Sequence, residues 1–100
     1  MIKHIVLWKL KDIADAGDKA VNARRIKEAL EALNGRIPGM RTLEVGLQPR
    51  GAEGSWDVAL YSEFTSWQAL DDYQRHPEHE AVKALVLRVR EERAVVDYEV

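Results

Sequence analysis

The stretch Ile2-Lys3-His4-Ile5-Val6-Leu7-Trp8-Lys9-Leu10-Lys11 alternates with the two-residue period of a β-strand, and both of its faces carry apolar side chains. One face holds Ile2, His4, Val6, Trp8 and Leu10; the other holds Lys3, Ile5, Leu7, Lys9 and Lys11. A strand that is apolar on each side has to be covered on each side. Downstream, a polar connection containing Asp15, Gly17 and Asp18 leads to Val21, Ile26, Ala29, Leu30 and Leu33 at helical spacing, closed by Asn34-Gly35. These residues predict a helix over about 18 to 33. Ile37-Pro38-Gly39-Met40 predicts a turn, followed by a second strand over about 41 to 48.

The loop Gln48-Pro49-Arg50-Gly51-Ala52-Glu53-Gly54-Ser55 separates that strand from a third, over 56 to 64, rich in β-branched and aromatic residues and expected to pair with the second as a hairpin. Thr65-Ser66-Trp67-Gln68 fits a capping box built on Thr65 and Gln68, opening a helix with Trp67, Leu70 and Tyr73 as inward candidates. Pro77 disfavours helical geometry at His76, so this helix is expected to break there and resume to about Arg90, with Val82, Leu85, Val86 and Val89 apolar. The charge run Arg88 to Arg93 reads as a solvated helix end, and Ala94 to Val100 as a terminal strand.

The order β-α-β-β-α-β predicts an α+β, ferredoxin-like split βαβ domain: a four-stranded antiparallel sheet with two helices on one face. The third strand is also apolar on both faces, with Trp56, Val58, Leu60 and Phe64 against Ala59 and Tyr61. The uncovered face is therefore too apolar for a monomer in water. A symmetric homodimer that closes its two sheets face to face into a dimeric α/β barrel is the economical solution.

Composition narrows the function classes. One hundred residues suit a single domain over 1–100, and 46% hydrophobic with 32% charged residues is a globular balance. A balance of 15 Lys and Arg against 17 Asp and Glu offers no electrostatic reason to bind nucleic acid. The absence of cysteine removes disulfides, thiolate metal sites and a cysteine nucleophile. The short, charge-interrupted N-terminal apolar stretch resembles neither a signal peptide nor a membrane span, so a cytoplasmic protein without a membrane partner is expected. No cofactor motif is visible, and His76-Pro77-Glu78-His79 is not a spacing specific for metal, so neither a cofactor nor a metal is expected.

The chemistry-bearing candidates lie in Tyr73-Gln74-Arg75-His76-Pro77-Glu78-His79 and on the first strand. With Pro77 as the first residue of the resumed helix, His79 falls in its first turn, where unpaired backbone donors and the helix dipole disfavour an imidazolium. A neutral imidazole suits a general base, and Tyr73 supplies a phenol able to donate to a substrate oxygen. The structural alternative makes His76 a helix cap and His79 a partly exposed residue paired with Glu80. His4, between Ile2 and Val6 on its strand face, lies beneath Tyr73 and His79 if that face points to the helices; otherwise it is a hydrogen-bonded core histidine. Asp57 has two readings: a carboxylate orienting the imidazoles, or a strand-end residue in solvent.

Ile2 to Lys9, Ile37-Pro38-Gly39-Met40, Tyr73-x-x-His76-Pro77-x-His79 and Val95-Val96-Asp97-Tyr98 together resemble the stress-responsive dimeric A/B barrel (Dabb) family over nearly the whole chain. The resemblance implies the ferredoxin-like fold and a barrel-forming homodimer. A plant polyketide cyclase of that family works without metal or organic cofactor; its catalytic Tyr and His match Tyr73 and His79, and its first-strand pocket histidine matches His4. Its second pocket histidine and a pocket tyrosine fall at Asp57 and Leu30 here, which changes a charge and removes a hydroxyl. Trp8, Leu30 and His76 complete, with His4 and Asp57, the expected set of substrate-contacting residues. The implied activity is cofactor-independent, cyclase- or lyase-like acid/base chemistry on a small carbonyl or phenolic compound. The alternatives are a non-catalytic stress-associated dimer, a small-ligand-binding protein and, by fold analogy alone, a cofactor-free oxygenase or dehydrochlorinase.

Overall fold

A computed structural model describes all residues 1–100. The first strand, β1 (Ile2–Leu10), turns Ile2, His4, Val6, Trp8 and Leu10 inward, each buried, while the residues between them are half-buried. The connection after it is more ordered than its polarity suggests. Two short strands, β2 (Ile13–Ala14) and β3 (Gly17–Asp18), form a hairpin whose central residues Asp15 and Ala16 both have positive φ, 51° and 60°. Two such residues in succession give a tight turn that matches strand twist, and Arg25 donates to the Asp15 carbonyl at 3.0 Å.

Asp18 caps α1 (Lys19–Glu31) by accepting from the Val21 N–H at 2.8 Å. The helix buries Asn22, Ala23, Ile26 and Leu30, and Leu33 and Ile37 continue the buried stripe beyond it. Gly39, at φ +78°, makes the turn into β4 (Met40–Leu47); a Cβ there would lie 2.6 Å from that of Ala69, so both conformation and space require glycine. β5 (Val58–Phe64) pairs with β4 as the expected hairpin, and begins two residues later than its composition suggested.

Ser66, not Thr65, caps α2 (Trp67–Arg75), accepting from Ala69 N–H at 3.1 Å. Thr65 instead donates its backbone N–H to the Gly39 carbonyl, and Gln68 bonds Asp72, so the capping box does not form. Trp67 is 45% exposed, which corrects its inward assignment; Leu70 and Tyr73 are buried. The helix breaks at His76, held extended by the following proline, and resumes as α3 (Pro77–Val89).

Chain reversal after α3 is immediate. β6 (Arg90–Glu99) pairs with β1 over its whole length, so Arg90 to Arg93 are strand residues opposite Leu10, Lys9 and Trp8, not a solvated helix end. The sheet has the order β4-β5-β1-β6, antiparallel throughout, with all three helices on the face of His4. The opposite face presents Ile5, Leu7, Ala59 and Tyr61, together with Val96 and Tyr98 at 53% and 40% exposure. No helix is long and apolar enough to cross a membrane.

Candidate functional site

The helix break sets up the site. His76 caps α3, its Nδ1 accepting from the Glu78 N–H at 3.1 Å, and this turn brings His79 of α3 back over Tyr73 of α2. The two rings stack with centroids 3.9 Å apart at 25°. Beneath them, the ring of His4 meets that of Tyr73 edge-on at 6.2 Å, and Phe64 closes the floor at 5.0 Å from Tyr73. A cavity of about 310 Å³ opens beside this stack, between the inner sheet face and α1 and α3. His4, Val6, Trp8, Leu30, Leu60, His79, Val82 and Val86 form its wall, and Gln74, Lys83, Leu87, Arg90 and Arg93 its more exposed rim.

Burial governs the electrostatics. Removal from water, aided by the charge of Lys83, pulls His79 down to about 4 from its ordinary 6.5, so the ring is neutral near pH 7. Position in the first helical turn predicts the same state, but desolvation is the larger cause. Burial likewise raises the Tyr73 phenol, which therefore stays protonated and acts as a donor. His4 is oriented by a residue that local patterns do not reveal: its Nδ1 meets Asp97 Oδ1 at 2.5 Å, across the β1–β6 pair. A carboxylate at Nδ1 accepts from that nitrogen and fixes the orientation of the ring.

Three buried side-chain polar atoms have no protein hydrogen-bond partner: Trp8 Nε1, the Tyr73 hydroxyl and His79 Nδ1. Trp8 and His79 line the cavity, and Tyr73 lies directly behind His79. Each such atom costs about 1–3 kcal/mol when left unpaired in the interior, so two of them on one cavity wall and a third directly behind it are a costly arrangement.

Of the residues singled out by sequence, His4, Trp8, Leu30 and His79 share the cavity, and Tyr73 stacks on its wall. His76 does not reach it, because its ring is engaged as the cap of α3. Asp57 is also elsewhere. It precedes the regular part of β5, and its Oδ2 accepts at 2.8 Å from the Leu10 N–H, where the β1–β6 register shifts; Lys19 stands 3.5 Å from the same oxygen. The carboxylate expected from Asp57 is supplied by Asp97. No group of three or more His, Asp or Glu side chains is arranged to hold a metal ion.

Fold and cavity together define the class: a ferredoxin-like α+β domain whose split second helix places a neutral histidine over a small internal pocket. The family model for the stress responsive A/B barrel domain (Dabb) matches residues 2–100, and the chain belongs to that family. A dimeric protein of unknown function with a ferredoxin-like fold from Bacteroides fragilis is 43% identical, superposes with a TM-score of 0.87, and is matched over 99% of this chain and 95% of its own. An uncharacterised protein of Streptomyces coelicolor is 35% identical over 85 residues, covering 85% of this chain and 86% of its own length. A solved antibiotic biosynthesis monooxygenase shares 15% identity over 100% of this chain and 98% of its own with a TM-score of 0.73, a likeness of fold alone.

Proposed function

We propose that the protein is a homodimer in which each subunit binds a small carbonyl or phenolic compound in the cavity and performs acid/base chemistry on it without a cofactor. In this reading His79 takes a proton from the substrate. Tyr73 donates a hydrogen bond to the oxygen on which negative charge collects, and His4, oriented by Asp97, holds the substrate's polar group. Trp8 and Leu30 contact the apolar body. The observation that carries the proposal is that Trp8 and His79, each with an unpartnered buried polar atom, line one cavity, with Tyr73, which carries the third, stacked on His79. Buried polar groups of a structural core are mostly paired, so two unpaired ones on the wall of one cavity support a ligand there. The dimer is supported by the apolar open face of the sheet and by the dimeric relative at 43% identity.

One observation favours a second reading, binding without turnover. A histidine held at about 4 is a weak base at neutral pH, short of the match between pKa and working pH that proton transfer favours. The test is an NMR titration of the three histidines in wild type and His79→Ala with a panel of small phenols and β-dicarbonyl compounds, followed by a turnover assay on those that bind. Ligand-dependent shifts centred on His79 and His4, lost in the variant, and consumption of a bound compound are expected. Binding without consumption selects the second reading. If no histidine responds to any compound, the pocket proposal fails.

A further inference from the structure

The rim of the cavity is chemically one-sided. Lys83, Arg90 and Arg93 stand on it, and no aspartate or glutamate lines the cavity at all. Lys83 is paired with Glu80 at 3.1 Å, but Arg90 and Arg93 enter no ion pair within the chain. Their placement follows from the early start of β6. Arg93 lies directly opposite Trp8 and Arg90 opposite Leu10, so both arginines leave the sheet on the inner face, and both line the same cavity as Trp8. Trp8 is 6% exposed, lines the cavity, and carries an N–H with no protein partner. An indole N–H can only donate, and so can a guanidinium. This end of the cavity therefore offers donors and positive charge, while Val6, Leu30, Leu60, Val82 and Val86 offer an apolar channel toward His79.

We infer that the ligand of this pocket is an amphiphilic anion: an apolar body carrying a carboxylate that docks on Arg90, Arg93 and the Trp8 indole N–H, with its other end toward His79. The inference rests on the pocket reading above and adds to it the charge and polarity of the ligand. A planar carboxylate accepts from guanidinium groups in pairs, and its desolvated oxygen satisfies the indole donor that a neutral, purely apolar ligand leaves unpaired. At about 310 Å³ the cavity is at the small end of ligand sites, which run roughly 300–1,000 Å³, so the body is limited to one ring or a short chain.

The experiment compares 4-butylbenzoate with 4-butylbenzamide, which share a body and differ in charge, by calorimetry and by histidine NMR on the intact protein. The benzoate is expected to bind about ten-fold more tightly than the benzamide, and raising the ionic strength is expected to weaken the benzoate alone. In Arg90→Gln/Arg93→Gln the benzoate falls to the affinity of the benzamide, whose own binding is unchanged and so reports an intact pocket. Equal affinity of the two probes in wild type, or salt-insensitive benzoate binding, overturns the inference while leaving the pocket reading in place. Failure of both probes to bind or to shift His4 and His79 overturns both. The wild-type salt dependence decides the matter even if the double variant does not fold.

Discussion

Two polar regions of this protein are built on opposite plans. Around the N-terminal end of α1, the polar side chains are tied to the backbone: buried Asn22 donates to the carbonyls of Ala14 and Gly17 at 2.9 and 3.3 Å and accepts from Arg25 at 3.0 Å, and half-buried Asp57 accepts from the Leu10 N–H. Around the cavity, Trp8, Tyr73 and His79 are just as deeply placed, yet each carries a polar atom that the protein leaves unpaired. The first region is what a fold needs to hold a loop and a strand end. The second leaves polar groups unpaired at a cost in stability, which is the feature the proposed ligand would explain. Residue type alone does not separate the two; partners do.

Substitution in the satisfied region tests one side of that contrast and carries the largest effect. Asn22→Leu keeps the branched outline but adds volume at a fully buried site and strands two carbonyls, and is expected to lower the unfolding free energy in urea by about 2–4 kcal/mol while leaving ligand-induced histidine shifts intact. A loss below half a kcal/mol would show that the Asn22 network is not structural.

The second prediction concerns the unsatisfied region and comes from the depressed pKa of His79. The unfolded chain binds a proton at about 6.5, whereas the folded one binds it only near 4, so the unfolded state holds more protons in between. The contribution is complete above pH 6.5 and is lost as pH falls toward 4. With allowance for partial screening by solvent the loss is about 2 kcal/mol. Glu31 and Glu78, both lowered by basic neighbours, add their own losses on the acid side, so the measurement is the difference between wild type and His79→Gln across this window. Parallel stability curves for the two proteins would break the contrast at its centre.

The smallest effect on stability is the most informative. Tyr73→Phe removes a buried hydroxyl that bonds nothing in the protein, and is expected to change stability by no more than about 1 kcal/mol, in either direction, while abolishing turnover and weakening the ligand response. A destabilisation well beyond that would mean the hydroxyl holds the fold together.

Legibility in the sequence divides along a related line. The inner face of β1 and the βαββαβ order follow from periods of two and 3.6 residues, and the break at His76 from the stereochemistry of a single proline; all three are local and all three hold in the structure. Local rules also leave ties. Thr65 and Ser66 are both competent caps, and the choice between them falls to the strand end, where the Thr65 N–H is already committed to Gly39. The reading of Asp57 as a carboxylate orienting the imidazoles presumes a strand that is regular from residue 56, and the regular pairing of β5 begins one residue after Asp57.

The placement of the candidate site depended on the tertiary structure. Asp97 reaches His4 from 93 residues away, by the register of β6 on β1, and the same register turns Arg90 and Arg93 from the tail of a helix into the rim of a cavity. Sequence by itself determined the inner face of β1, the order of the main strands and helices, the break at His76 and which side chains are able to do acid/base chemistry, because those properties are set within a few residues. That Asp97 meets His4 and that Arg90 and Arg93 reach the cavity was decided by the pairing of β6 with β1, because strand register is a long-range packing outcome that no short window of sequence encodes.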